Sequence, residues 1–182
     1  MLKPELQAKF LNHLSNRKKN KEEGFTLIEL LVVVIIIGVL AAIALPSLLG
    51  QVNKAKQAEA KNNIGTANRA QQAFYLEYQK FATDVDELQL GIKTQTENFK
   101  YSIDGGSGGP IQVNGQNIKN GLKAYYGLVG TVASTSSTGE ALTLAIACES
   151  KAPLTANPSM PSVPGAFAAN TACDPAYTSL AR

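Results

Sequence analysis

The residues specify an α+β protein: one long N-terminal helix followed by a small antiparallel sheet that packs on the helix's amphipathic half. Three features carry this reading. Residues 30–45 (LLVVVIIIGVLAAIAL) form an unbroken uncharged run, residues 50–81 repeat apolar side chains at helical spacing, and the remainder alternates in short segments punctuated by Gly and Pro.

Extending the apolar run to 25–49 admits one charge, Glu29. Twenty-five residues of helix reach about 37 Å at 1.5 Å each, enough to cross a hydrocarbon layer of about 30 Å. Residues 1–24 precede it with Lys3, Lys9, Arg17, Lys18, Lys19 and Lys21 against Glu5, Glu22 and Glu23, a net +3. Basic residues before a membrane segment orient it, so 1–24 is expected in the cytoplasm and the rest outside. The RKKNK stretch at 17–21 is read as this orientation signal rather than as a nucleic-acid patch.

The rival for 25–49 is a secretory signal peptide, with Ala42-Ile43-Ala44 as a small-x-small cleavage site and a mature start at Leu45. The long preceding segment, the length of the run and an acid at its head all misfit that pattern.

After Pro46 the chain turns to QVNKAKQAEAKNNIGTANRAQQAFYLEYQKF, dominated by helix formers. Val52, Ala55, Ala60, Ile64, Ala67, Ala70, Phe74, Tyr78 and Phe81 make one apolar stripe, so a single helix of about fifty-five residues, bent near Pro46, is expected. Its aromatic residues Phe74, Tyr75, Tyr78 and Phe81 are assigned to core packing.

Beyond Phe81, residues 82–92 read as a turn with a short helical or extended piece. Strands are expected at 98–104, 111–113, 122–133 and 141–148, and the GGSGGP at 105–110 is a loop. That loop lacks the Lys-Ser/Thr of a phosphate-binding loop. Residues 151–164 carry Pro153, Pro158, Pro161 and Pro164 and should be irregular. The run at 131–138 (TVASTSST) reads as a strand end or an O-glycosylated surface, and Asn157 is no N-glycosylation site because Pro158 follows it.

Composition closes several functional classes. Residues 25–182 hold eleven charges of each sign, which leaves no net basic excess for a bulk electrostatic nucleic-acid binder. His13 is the single histidine, so no imidazole lies beyond the basic segment for a triad, proton shuttle or zinc site. An enzyme is not expected, and neither a metal nor a cofactor is called for. Cys148 and Cys173 are the two cysteines, and an even pair in an exported chain reads as one disulfide. It closes a loop of about 26 residues and contributes roughly 3.5 kcal/mol on the chain-entropy scale.

Glu29 is the sharpest single residue. A carboxylate inside an apolar helix costs about 2.5–3.5 kcal/mol near a bilayer centre and less near the interface, so it is either an interfacial acid among headgroups or half of a charge pair with another chain. Gly38 and Pro46 are common in membrane helices, and Pro46 also weakens the helix locally by removing a backbone donor.

The junction KEEG/FTLIELLVVVIIIGVLAAIALPSLL resembles the N-terminus of a type IV prepilin, with Gly24, Phe25, Glu29, Gly38 and Pro46 at that family's spacing. The run LLGQVNKAKQAEAKNNIGTANRAQQAFY is most similar to cyanobacterial major pilins. The resemblance implies the pilin fold, with a leader at 1–24, a membrane and filament-core helix at 25–49, an amphipathic helix at 50–81, and a globular head at 82–182 with a disulfide-bounded C-terminal loop. It also implies cleavage after Gly24 by prepilin peptidase, N-methylation of Phe25, and pairing of Glu29 with the new cationic terminus of a neighbouring subunit. Gly38 to Pro46 would be the segment that loses helix on assembly. The cysteine pair resembles the C-terminal region of pilins, which many secretion pseudopilins lack.

The expected function is therefore a structural subunit: an inner-membrane precursor that polymerises with itself into an extracellular type IV pilus through the pilus assembly machinery. Adhesion, twitching motility and DNA uptake follow from the resemblance, with DNA or surface ligands unassigned. The alternatives are a type II secretion pseudopilin, a minor pilin, or an exported domain tethered by an uncleaved helix.

Overall fold

The computed structural model describes residues 25–133 and 141–180, together with Glu5, Ala8, Lys9, Leu11 and Asn12. Gly24, His13, the RKKNK cluster and most of the Ser/Thr-rich run at 131–138 lie outside the described residues. The chain divides into two units, Met1–Ser47 and Leu48–Arg182.

One helix, α1, spans Leu27–Tyr78, so the apolar run and the amphipathic stripe are a single element, as the residues predict. Its first part is rich in Val and Ile, which favour strands in water. In an apolar solvent, however, each backbone group must be satisfied within the segment, and a helix does this whatever the side chains. Pro46 sits inside α1, where it removes the donor that would reach the Ala42 carbonyl. The helix is unbroken from Gly38 through Pro46 in this single chain.

The C-terminal unit is built around a five-stranded antiparallel meander, order β1-β2-β3-β4-β5, among the described residues. The strands are β1 Phe99–Gly105, β2 Ile111–Asn117, β3 Tyr125–Ala133, β4 Ala141–Ser150 and β5 Tyr177–Ser179. The α+β class and the first four strands match the sequence reading, although β2 runs four residues past Val113 and β3 starts at Tyr125 rather than at residue 122. The short β5 has no signal in the sequence, because three residues cannot display a period.

Gly105 closes the first hairpin at φ 121°, a conformation side chains disfavour, and an added Cβ would stand 2.7 Å from the Pro110 carbonyl. Residues 86–88 form a single 3-10 turn.

Ala60, Ile64 and Ala67 of α1 pack fully against Phe99, Tyr101, Val113 and Tyr125 of the sheet. Each large apolar side chain so buried contributes about 1.5–3 kcal/mol. The stripe is shorter than its periodicity implies: Val52, Ala55 and Tyr78 are exposed. The helix also ends at Tyr78, three residues before Phe81, with Gln79 left-handed and its N–H donated to the Tyr75 carbonyl at 2.8 Å. Phe81 is buried beyond the helix end, with its ring 4.7 Å from that of Tyr75. Of the aromatic cluster, Tyr78 is thus not core.

Two polar residues complete the buried helix face. The Gln71 amide donates to the Ala82 carbonyl at 2.8 Å and accepts from the Ala82 N–H at 3.0 Å, which fixes the chain as it leaves the helix. Asn68 donates to the Ile146 carbonyl at 3.0 Å. It has room only because residue 127 is glycine, where a Cβ would fall 2.0 Å from Asn68 Oδ1. Gly127→Ala is expected to cost about 1–3 kcal/mol through overpacking, measured by urea unfolding. The double variant with Asn68→Ala should recover part of that loss.

The outer sheet face is also covered, which the sequence reading did not foresee. Residues 151–175 lie across it as a strap. Gln112, Gln116 and Asn117 donate side-chain amides to the carbonyls of Pro161, Pro158 and Thr155. Tyr126, Leu128 and Cys148 pack there with Tyr177, Met160 and Phe167. The expected irregular loop is therefore a third layer of the fold.

Candidate assembly site

The N-terminal unit begins at its most unusual feature. Thr26 is the N-cap of α1 and Glu29 the third helical residue. The Glu29 N–H donates to Thr26 Oγ1 at 3.3 Å, while Glu29 Oε2 accepts from the Thr26 N–H at 2.8 Å and the Thr26 hydroxyl at 2.7 Å. The Thr26 carbonyl takes the first helical bond, from the Leu30 N–H at 3.2 Å. This is a reciprocal capping box that satisfies helix-end donors before an apolar run begins. The sequence reading assigned Glu29 but missed Thr26, although Thr-Leu-Ile-Glu before an apolar run is that box's signature. The carboxylate also sits at the positive end of the helix dipole. Both cap bonds end on Oε2, so Oε1 stands outside the cap.

Around and beyond this cap the side chains are uncovered. Phe25 is 80% exposed, and Leu27, Ile28, Leu30 and the Val/Ile residues through Leu45 are 44–86% exposed. The helix is long and apolar enough to cross a membrane, and none of its most apolar window is buried by the chain itself. A contiguous apolar surface of this length has to be covered by lipid or by other helices. Gly38 has open space where a Cβ would sit, so nothing among the described residues requires glycine there. Phe25, Thr26 and Glu29 share the helix start, and Gly38 and Pro46 lie farther along the same helix.

In the C-terminal unit Cys148 and Cys173 are joined, with Cα atoms 5.9 Å apart. The bond ties the strap to β4, and the Asp174 N–H donates to the Tyr126 hydroxyl at 2.7 Å beside it. No cluster of three His, Cys, Asp or Glu side chains able to hold a metal occurs among the described residues.

Lys61 and Lys123 flank Glu149 at 2.8 and 3.3 Å. Partial burial pushes the Glu149 carboxyl up, but the hydrogen bonds and charges of the two lysines outweigh it and hold the carboxyl below 4.5. Its proton affinity is therefore lower folded than unfolded, so its contribution is complete above pH 4.5 and is lost as pH falls through the folded value. The melting midpoint should drop on acidification below pH 4.5, and Lys61→Met should flatten that drop.

The family model for type IV pilin-like G and H matches residues 57–174, and that for the prokaryotic N-terminal methylation motif matches residues 19–45. The chain is 36% identical over 94 residues to the type IV major pilin protein PilA of Myxococcus xanthus, covering 51% of this chain and 42% of that protein. It is 39% identical over 80 residues to the type II secretion system core protein G of Vibrio cholerae, covering 44% and 55%. With the fimbrial protein EcpC of Eikenella corrodens the identity is 41% over 83 residues, covering 46% and 52%. The chain thus spans about half the length of the curated relatives it matches.

Proposed function

The chain belongs to the type IV pilin-like G and H family, and from that membership we propose that it is the structural subunit of a type IV pilus. One observation carries the proposal: the methylation motif at 19–45 coincides with an uncovered apolar helix that begins in a capped carboxylate. In this reading the precursor spans the inner membrane with residues 1–24 in the cytoplasm. Prepilin peptidase cuts after Gly24 and methylates the amino group of Phe25. Subunits then leave the lipid by packing their apolar helices together.

The chemistry of the cap supports the step. Cleavage creates a cation at Phe25, next to the Thr26–Glu29 box. Glu29 Oε1 is outside the cap and so is available to a neighbour's terminus while Oε2 keeps the helix end closed. In the apolar interior of a filament such a pair fixes axial register, because a subunit out of register leaves a charge unpaired. Pro46 supplies a weak point at which the helix can open during packing. Assembly in this reading needs no catalysis by the chain.

A second reading, a type II secretion pseudopilin, is favoured by the similarity to core protein G. The disulfide-tied strap supports the pilus instead. The test is to shear cells, image the released filaments with antibody to residues 48–182, and delete the gene. Decorated filaments that vanish on deletion support the pilus, whereas undecorated filaments with a protein-secretion defect overturn it in favour of the pseudopilin.

A further inference from the structure

Beyond the apolar helix, a polymer needs contacts between the folded C-terminal units, and two features of this unit match each other. The first is a groove of about 490 Å³ between α1 and β4, lined by Lys61, Asn68, Arg69 and Gln72 above Ala145 and Ala147. Asn68 and Gln72 donate to the Ile146 and Thr143 carbonyls, which holds the groove open as a built feature of the β4 edge. Lys61 shares the Glu149 carboxylate with Lys123, so that trio keeps one net positive charge. Arg69 bonds only its own-helix neighbour Thr66, at 3.4 Å, among the described residues. The groove therefore presents the Arg69 guanidinium, with the residual positive charge of the lysine pair beside it, over a floor of Ala145 and Ala147.

The second feature is the turn that follows α1. Asp84, Asp86 and Glu87 are exposed there, and none of them joins an ion pair among the described residues. Val85 and Leu88 are buried and anchor the turn to the core. Glu87 lies beside Ala70, Phe74 and Glu77 of α1. At about 100° per residue, that helix face and the groove face of Lys61, Asn68, Arg69 and Gln72 stand on the order of 160° apart. The two patches thus occupy opposite flanks of the helix and cannot meet within one copy.

We propose that the Arg69 groove of one copy receives the acidic turn of Asp84, Asp86 and Glu87 from a second copy. Opposite charge on opposite flanks makes a heterologous contact, which extends as an open filament when the rotation between successive copies does not close a ring. Charge complementarity selects the turn over other surfaces and sets the orientation in which copies add. This contact rests on the filament reading above and names the surfaces that the C-terminal units use within it.

The experiment replaces the chain in its own cells with Arg69→Glu, with Asp84→Lys/Asp86→Lys/Glu87→Lys, and with both sets combined. Each single set is expected to reduce sheared subunit about tenfold, since reversing the charge on one side turns the attraction across the contact into repulsion. The combined set should restore it. Disulfide formation and circular dichroism of the membrane-extracted chains check that each variant folds. In parallel, Arg69→Lys filaments are treated with a carbodiimide, which should couple the introduced amine to Asp84, Asp86 or Glu87 in peptides from dimeric bands.

Wild-type levels from Arg69→Glu, or dimers joined only elsewhere, overturn the contact. If the combined set stays defective, the cross-link decides: its presence upholds the contact, and its absence overturns it. Wild-type cells whose sheared material lacks the chain overturn the filament reading itself, which separates that failure from failure of this contact.

Discussion

Glu29→Ala is expected to leave cells without surface filaments while the precursor still inserts in the membrane. The substitution removes two things at once. It strips the capping box, which costs about 0.5–2 kcal/mol of helix-end stability. It also removes the anion that would meet a neighbour's amino terminus, and breaking a buried pair costs about 3–5 kcal/mol because the remaining charge is stranded. Insertion survives, since taking a carboxylate out of an apolar helix eases transfer into lipid. Glu29→Gln separates the two roles. Glutamine still closes the cap at this position but carries no charge. Sheared subunit, quantified by immunoblot, should be lost in both variants if the charge governs assembly; recovery with glutamine would assign the residue to the cap instead.

Removing the disulfide is the second large effect. With Cys148→Ser/Cys173→Ser, the full chain in detergent should lose about 3.5 kcal/mol of unfolding free energy, the entropy of a closed loop of about 26 residues. Domains of this size are held by about 5–15 kcal/mol, so this is a large fraction. The bond pins a strap that is otherwise held by side-chain amides of Gln112, Gln116 and Asn117, by the Tyr126 hydroxyl, by backbone bonds of Leu154 and Asn157 to Leu122 and Asn117, and by the packing of Met160 and Phe167. Hydrogen exchange should therefore rise first in residues 151–175, while β1 to β3 stay protected. Urea unfolding with an unchanged midpoint would contradict this role for the bond.

The elements that were legible in the sequence are those whose physics is local. The uncharged run at 30–45 and the helix formers at 51–73 define α1, and alternation defines most of β1, β3 and β4. What escaped depends on partners far along the chain. Asn68 and Gln71 look like exposed helix residues until the Ile146 and Ala82 backbones meet them. Gln112 and Asn114 alternate with apolar residues as a solvent face would, yet both are buried, and Gln112 donates to the Pro161 carbonyl of the strap. Gly127 and Gly130 interrupt an apolar strand, a pattern that marks close approach; the approaching groups are Asn68 and Phe167. Within the site, Glu29 stood out by its charge, whereas its cap partner Thr26 went unnoticed because a threonine beside apolar residues draws no attention unless the fourth residue is read with it.

Every step proposed above depends on maturation at the Gly24–Phe25 junction and on departure of the matured chain from the membrane in filaments. Intact mass and N-terminal sequencing of the chain, from membranes and from sheared extracellular material, test both. The account predicts an N-methylated Phe25 start that is abundant in the sheared fraction. An intact Met1 throughout would mean an uncleaved tether and a start at Leu45 a secreted soluble domain, and either as the sole species contradicts the account.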